Sequence, residues 1–121
     1  MKILYFPRFP DNIVVLKNRQ QGQMAQIFCV EKFFWHEAVL KVEGRCFKEV
    51  KPTFKTPYVS SDIGNYFCAG GLETEVMIVD FTDILGKCFA FPLIMPSKCN
   101  IDPEVEEQEW IVQIISHSNM Y

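Results

Sequence analysis

The chain has 121 residues, 49% of them hydrophobic and 22% charged, which suits one domain with its own core and excludes disorder over the whole length. A net charge of -3 excludes a general polyanion binder, because such affinity comes from Lys and Arg neutralising phosphates. Aromatics reach 14%, with eleven Phe, and lean the composition towards β structure.

Residues 1–11 are apolar and punctuated by proline. Ile3 to Phe6 reads as a short edge strand, since Pro is tolerated at strand ends. The two prolines and Arg8 stop this segment before it can become the hydrophobic region of a signal peptide. Ile13-Val14-Val15-Leu16 is a buried-strand run. Polar residues 18–22 end in Gly22 and predict a hairpin loop, after which residues 24–34 resume as a strand. Trp35-His36-Glu37 breaks the run. Residues 38–47 then alternate cleanly: Leu40, Val42 and Cys46 share one face, Lys41, Glu43 and Arg45 the other. Gly44 falls on the apolar face, where it predicts a bulge or a close backbone approach.

Residues 48–62 have no pattern and hold two Pro and three Lys, so they are expected to form a long loop. Residues 65–68 read as a strand, Ala69-Gly70-Gly71 as a turn and residues 75–81 as a strand. A turn or one helical turn is expected at 80–83, and a further strand at 87–91 is ended by Pro92. Asp102-Pro103 followed by Glu104, Glu106, Glu107 and Glu109 looks like a helix start. The β-branched run at 110–115 suits either the end of that helix or a strand, and is read as helical onset followed by strand. Six to eight short strands with little helix predict a mainly β domain, a small SH3-like, partly open β-barrel with a short C-terminal helix or strand extension.

The five cysteines at 29, 46, 68, 88 and 99 are odd in number and show no CxxC spacing. Cys29, Cys46 and Cys88 sit inside strand runs, where Cys acts as a small buried hydrophobe. With no apolar run approaching a membrane span and no Asn-x-Ser/Thr acceptor, the expectation is an intracellular, reduced protein. His36 and His117 lie in no metal motif, and Gly86-Lys87-Cys88 lacks the upstream glycine of a phosphate loop. Neither an enzyme nor a metal or other cofactor is expected.

Two stretches resemble a known family. Residues 12–17, the Gly22 turn and Ala25-Gln26-Ile27-Phe28-Cys29-Val30 are similar to the opening strands of bromo-adjacent homology (BAH) domains. Asn65-Tyr66-Phe67 and, above all, Ile84-Leu85-Gly86-Lys87-Cys88 resemble the family's second half. The likeness covers about residues 12–93, with 1–11 and 94–121 as extensions of a single domain. The family's Arg-Trp-Phe strand and Pro-Glu-Glu-Thr are absent; Gly44-Arg45-Cys46-Phe47 leads instead into Lys48-Glu49-Val50-Lys51-Pro52.

The resemblance implies a non-catalytic, BAH-like module in the nucleus that binds a protein partner, such as a histone or another chromatin protein. Some BAH domains hold methyl-lysine in an aromatic cage by cation–π attraction. Trp35, Tyr58 and Tyr66, with Glu37 as the carboxylate, are the candidates for such a cage. Lys48, Lys51 and Lys55, interleaved with Phe54 and Tyr58, are the candidate nucleic-acid contacts, against which the overall charge speaks. The alternative is a structural or oligomerisation domain of a larger, transposon-derived protein, using the apolar segments at residues 3–9 and 110–115. A cysteine-dependent enzyme is the remaining alternative.

Overall fold

A computed structural model describes residues 11–17, 25–57, 59–93, 104, 106 and 108–115, and the backbone alone of 2–5, 116 and 117. The described residues form eight strands: β1 (Lys2–Tyr5), β2 (Ile13–Leu16), β3 (Gln26–His36), β4 (Val39–Pro52), β5 (Asn65–Leu72), β6 (Met77–Asp80), β7 (Ile84–Pro92) and β8 (Trp110–His117). Two 3-10 turns, Ser60–Ile63 and Phe81–Asp83, stand in place of helices, and the second falls where a turn was expected. No α-helix occurs among the described residues.

Every strand pairing is antiparallel. Strands β3, β2, β7, β8, β5 and β4 follow one another and close on themselves through the β3–β4 pair, giving a six-stranded barrel. The two longest strands outrun the ring. Beyond it, β1 prolongs the sheet along β3 and β6 along β4.

The Ile13-Val14-Val15-Leu16 run is continuous because β2 is covered on both faces. Ile13 and Val15 enter the barrel core with Ile27, Cys29, Phe47, Tyr66, Cys68, Leu72, Cys88, Trp110 and Val112. Val14 and Leu16 turn the other way, to a second cluster with Phe28, Val30, Val42 and Cys46, flanked by Met77, Val79 and Ile84. Two small cores therefore share the walls β2 and β3. The alternation of residues 38–47 holds, but its charged face is half-buried and laced with ion pairs: Lys41–Asp80 at 2.5 Å, Lys32–Glu43 at 3.5 Å and Arg45–Glu31 at 2.7 Å.

Gly44 sits at the bulge and close approach predicted for it. Val30 faces Gly44 and Lys32 faces Glu43, so Glu31 is the extra residue. A Cβ at position 44 would lie 2.2 Å from the Cys29 carbonyl oxygen and 2.8 Å from the Phe28 ring. A second bulge, at Leu85, bends β7 where Gly86 meets Val15.

Four expectations change. Ala69-Gly70-Gly71 is not a turn: β5 runs through it, and the glycines (φ 78° and 75°) form a bulge opposite Lys48. Positive φ bends the strand at the barrel corner without ending its pairing with β4. Residues 48–52 are strand rather than loop, because β5 supplies them with a partner. The loop that follows is pinned by Ser60, whose buried hydroxyl accepts from the Thr53 and Phe54 amides and donates to the Asn65 carbonyl. Residues 110–117 are strand throughout, and β8 is no extension: it lies between β5 and β7 in the barrel wall. Half of the expected helix start at 102–109 lies outside the described residues, as do the apolar residues 6–9 and Cys99. The described residues of that expected helix start, 104, 106, 108 and 109, are not helical.

The break expected at Trp35-His36-Glu37 falls slightly later in the chain, at Glu37-Ala38. Trp35-His36 continues β3, and Glu37 (φ 51°) and Ala38 (φ 66°) make the two-residue turn into β4. Such turns normally use Asn-Gly, and the absence of that pair here left the exact turn residues unmarked at the break. Holding an L-residue in the left-handed region costs about 1–2 kcal/mol. Ala38→Gly is therefore expected to raise stability by about 1 kcal/mol in chemical denaturation, with an unchanged m-value.

Candidate interaction surfaces

The residues proposed for a cage are not brought together. Trp35, 41% exposed, stands near the hairpin tip and pairs with Leu40 at the start of β4. Tyr66 pairs with Pro52 at the other end of that 14-residue strand. It is 6% exposed and belongs to the barrel core, so it offers no wall to a ligand outside. Burial raises its phenol pKa above the ordinary value. Glu37 is exposed in the turn, with its carboxylate 3.9 Å from His36. Tyr58 lies outside the described residues.

The three lysines do not form one basic stripe either. Lys48 occupies the bulge opposite Gly70-Gly71, 3.6 Å from Glu106. Lys51 lies over the Phe67 ring at 4.7 Å. Lys55 is exposed in the loop beyond β4. Phosphate recognition needs several cations along one track, and these point to separate neighbours.

What the sheet does assemble is an apolar row on its outer face. Phe91 on β7 is opposite Ile111 on β8; Ile111 is opposite Phe67 on β5; Phe67 is opposite Lys51 on β4. At roughly 4.8 Å per strand the row spans about 14 Å. Phe89 adjoins it, its ring 6.0 Å from that of Phe91. Phe89 is 47% exposed and Phe91 54%. Their neighbours Cys88 and Ala90 take the inward positions, so two large rings are left facing out. One end of the face is polar, where the Asn65 side-chain amide donates to Gln113 at 3.0 Å. The readable signal was Phe-Ala-Phe between Cys88 and Pro92, an alternation with the larger side chains on the wrong face for a core.

The cysteines are placed to pack rather than react. Cys29, Cys46, Cys68 and Cys88 are buried free thiols. Burial pushes Cys29 and Cys46 up to about 11 and Cys88 to about 12, and raises Cys68 further. The Asn12 amide donates to the Cys29 sulfur at 3.2 Å, opposing that rise only in part. All four are expected to resist a thiol reagent at neutral pH until the protein unfolds, with labelling by mass spectrometry as the measurement. Their protonated state favours the fold. That contribution is full below the ordinary pKa of 9.0 and is lost as pH rises through about 11 to 12, so stability should fall across this alkaline window.

Residues 4–105 match the family described as Domain of unknown function (DUF8592). The chain belongs to that family. No curated protein and no solved structure matches it. The DUF8592 match covers β2 to β7 and stops before β8, the strand that closes the barrel in this chain. Among the described residues, no cluster of three or more His, Cys, Asp and Glu could hold a metal ion, and no helix is long and apolar enough to cross a membrane.

Proposed function

We propose that this DUF8592 domain is a non-catalytic protein-interaction module whose partner docks on the outer face of β7, β8 and β5. The observation that carries this reading is the aligned row Phe91–Ile111–Phe67–Lys51 with Phe89 beside it. Two half-exposed phenylalanines on adjacent outward positions are what interfaces use as anchors, and a cation at the rim adds orientation. The likeness of residues 84–88 to BAH domains makes histones and other chromatin proteins the partner class to try first, and a nuclear location follows from that choice.

The test is affinity capture from nuclear extract with the native chain and with Phe91→Glu, beside light scattering of both. Partners captured by the native chain and lost with Phe91→Glu support the reading. Identical capture by both chains would remove this face as the interface. A dimer that Phe91→Glu dissociates would instead assign the face to self-association, the oligomerisation role.

A further inference from the structure

Strand β6 ends the sheet. One edge pairs with β4, from Gly44↔Met77 to Lys41↔Asp80, and no strand among the described residues pairs with the other. Among the described residues, no backbone hydrogen bond leaves that outer edge. In a strand paired on one side only, alternate residues turn their N–H and C=O groups away from the partner, which makes a template for another strand. Neither Pro nor Lys blocks β6, which reads Met-Ile-Val-Asp.

A cavity of about 340 Å³ runs along this edge. All four β6 residues line it, facing Leu16, Lys17 and Gln26 at the ends of β2 and β3, with Asp83 beyond. Leu16, Met77 and Val79, all at the second core, give it an apolar floor. Ile78 alternates with Met77 and Val79 along the strand and is 58% exposed, and Val76 before it is 50% exposed. An added strand would set successive side chains alternately on the floor and beside Ile78.

Charge decides what the added strand carries. Glu73 and Glu75 lead into β6, and Asp80 and Asp83 follow its last apolar residue. Lys17 on the facing wall and Lys41, already paired with Asp80, leave the surround negative. A second copy of β6 laid antiparallel would place Glu75 of one copy opposite or diagonal to Asp80 of the other, an unfavourable like-charge arrangement. We propose that β6 accepts a short extended peptide from another protein, with a β-branched apolar centre and a Lys or Arg at each end, by strand addition. This surface is separate from the Phe89–Phe91 face and does not depend on it.

The test uses a labelled peptide Lys-Val-Thr-Val-Thr-Val-Lys and its twin with Glu at both ends, titrated against the full chain by fluorescence anisotropy. The basic peptide should bind, weaken with added salt, and slow amide exchange at residues 78–80. The acidic twin should bind at least about tenfold more weakly, because like charges meet at both ends. Ile78→Lys should weaken the basic peptide by about tenfold, while Phe91→Glu should leave it unchanged. Ile78 is exposed, so this substitution should preserve the fold, which the native thermal transition would verify. Equal affinity for the two peptides, no binding of either, indifference to Ile78→Lys in the folded variant, or a dimer formed through β6 would each overturn the proposal.

Discussion

A chain ending at residue 108 is expected not to fold. It would keep all of the segment that matches the family, yet lose β8, and the barrel would open between β5 and β7. Cys68, Phe67, Tyr66 and Asn65 would lose their partners along one edge, and residues 86–92 along the other. Each newly unpaired backbone group near the core carries a desolvation cost of about 1–3 kcal/mol. Trp110, fully buried, and Val112 would leave a cavity in the main core. Trp110→Ala alone should cost about 3–5 kcal/mol. Total stability is about 5–15 kcal/mol for a domain of this kind, so removing the strand exceeds what the remainder can supply. Circular dichroism with thermal melting gives the answer: no cooperative transition is expected in the truncated chain, and a lowered one in Trp110→Ala. A truncated chain with a native-like melt would mean that β8 is dispensable.

Gly44→Ala is expected to be strongly destabilising for a change of one methyl group. The added carbon would sit 2.2 Å from the Cys29 carbonyl oxygen and 2.8 Å and 2.9 Å from two atoms of the Phe28 ring. The ring belongs to the second core and is fully buried, so it has little room to retreat. The carbonyl is backbone within the β3–β4 pairing. Overpacking of this kind costs about 1–3 kcal/mol, and contact with fixed backbone puts this case at or above the upper end. Urea denaturation of Gly44→Ala and of the Phe28→Leu, Gly44→Ala pair separates the two contacts. Shortening Phe28 should recover only part of the loss, because the carbonyl remains; full recovery would show that the ring alone sets the requirement for glycine.

Much of the candidate interaction chemistry was illegible in the sequence because it depends on register. Phe67, Ile111 and Phe91 are separated by long stretches of chain, and nothing local says that they stand in one row. Tyr66 and Trp35 looked alike as aromatic residues near turns. Once β5 pairs with β8 and β4, Tyr66 points into the barrel while Trp35 remains outside. The lysines of residues 48–55 looked like one loop until β5 gave half of that stretch a partner, which fixed Lys48 and Lys51 among different neighbours.

By itself the sequence determined the β class, the β2–β3 hairpin, the two-faced strand of residues 38–47, the bulge at Gly44 and the single turn at 80–83. Each is a local matter of period two, of glycine where a Cβ does not fit, or of a short polar break. Only the tertiary structure decided that β8 closes the ring, that Gly70-Gly71 bends a strand instead of ending it, that β2 and β3 serve two cores at once, and that β6 has β4 as its one partner among the described strands. Those outcomes turn on which strands become neighbours. Pairing is chosen by the burial of residues far apart in the chain, and a one-residue shift in register would reverse which face each side chain meets.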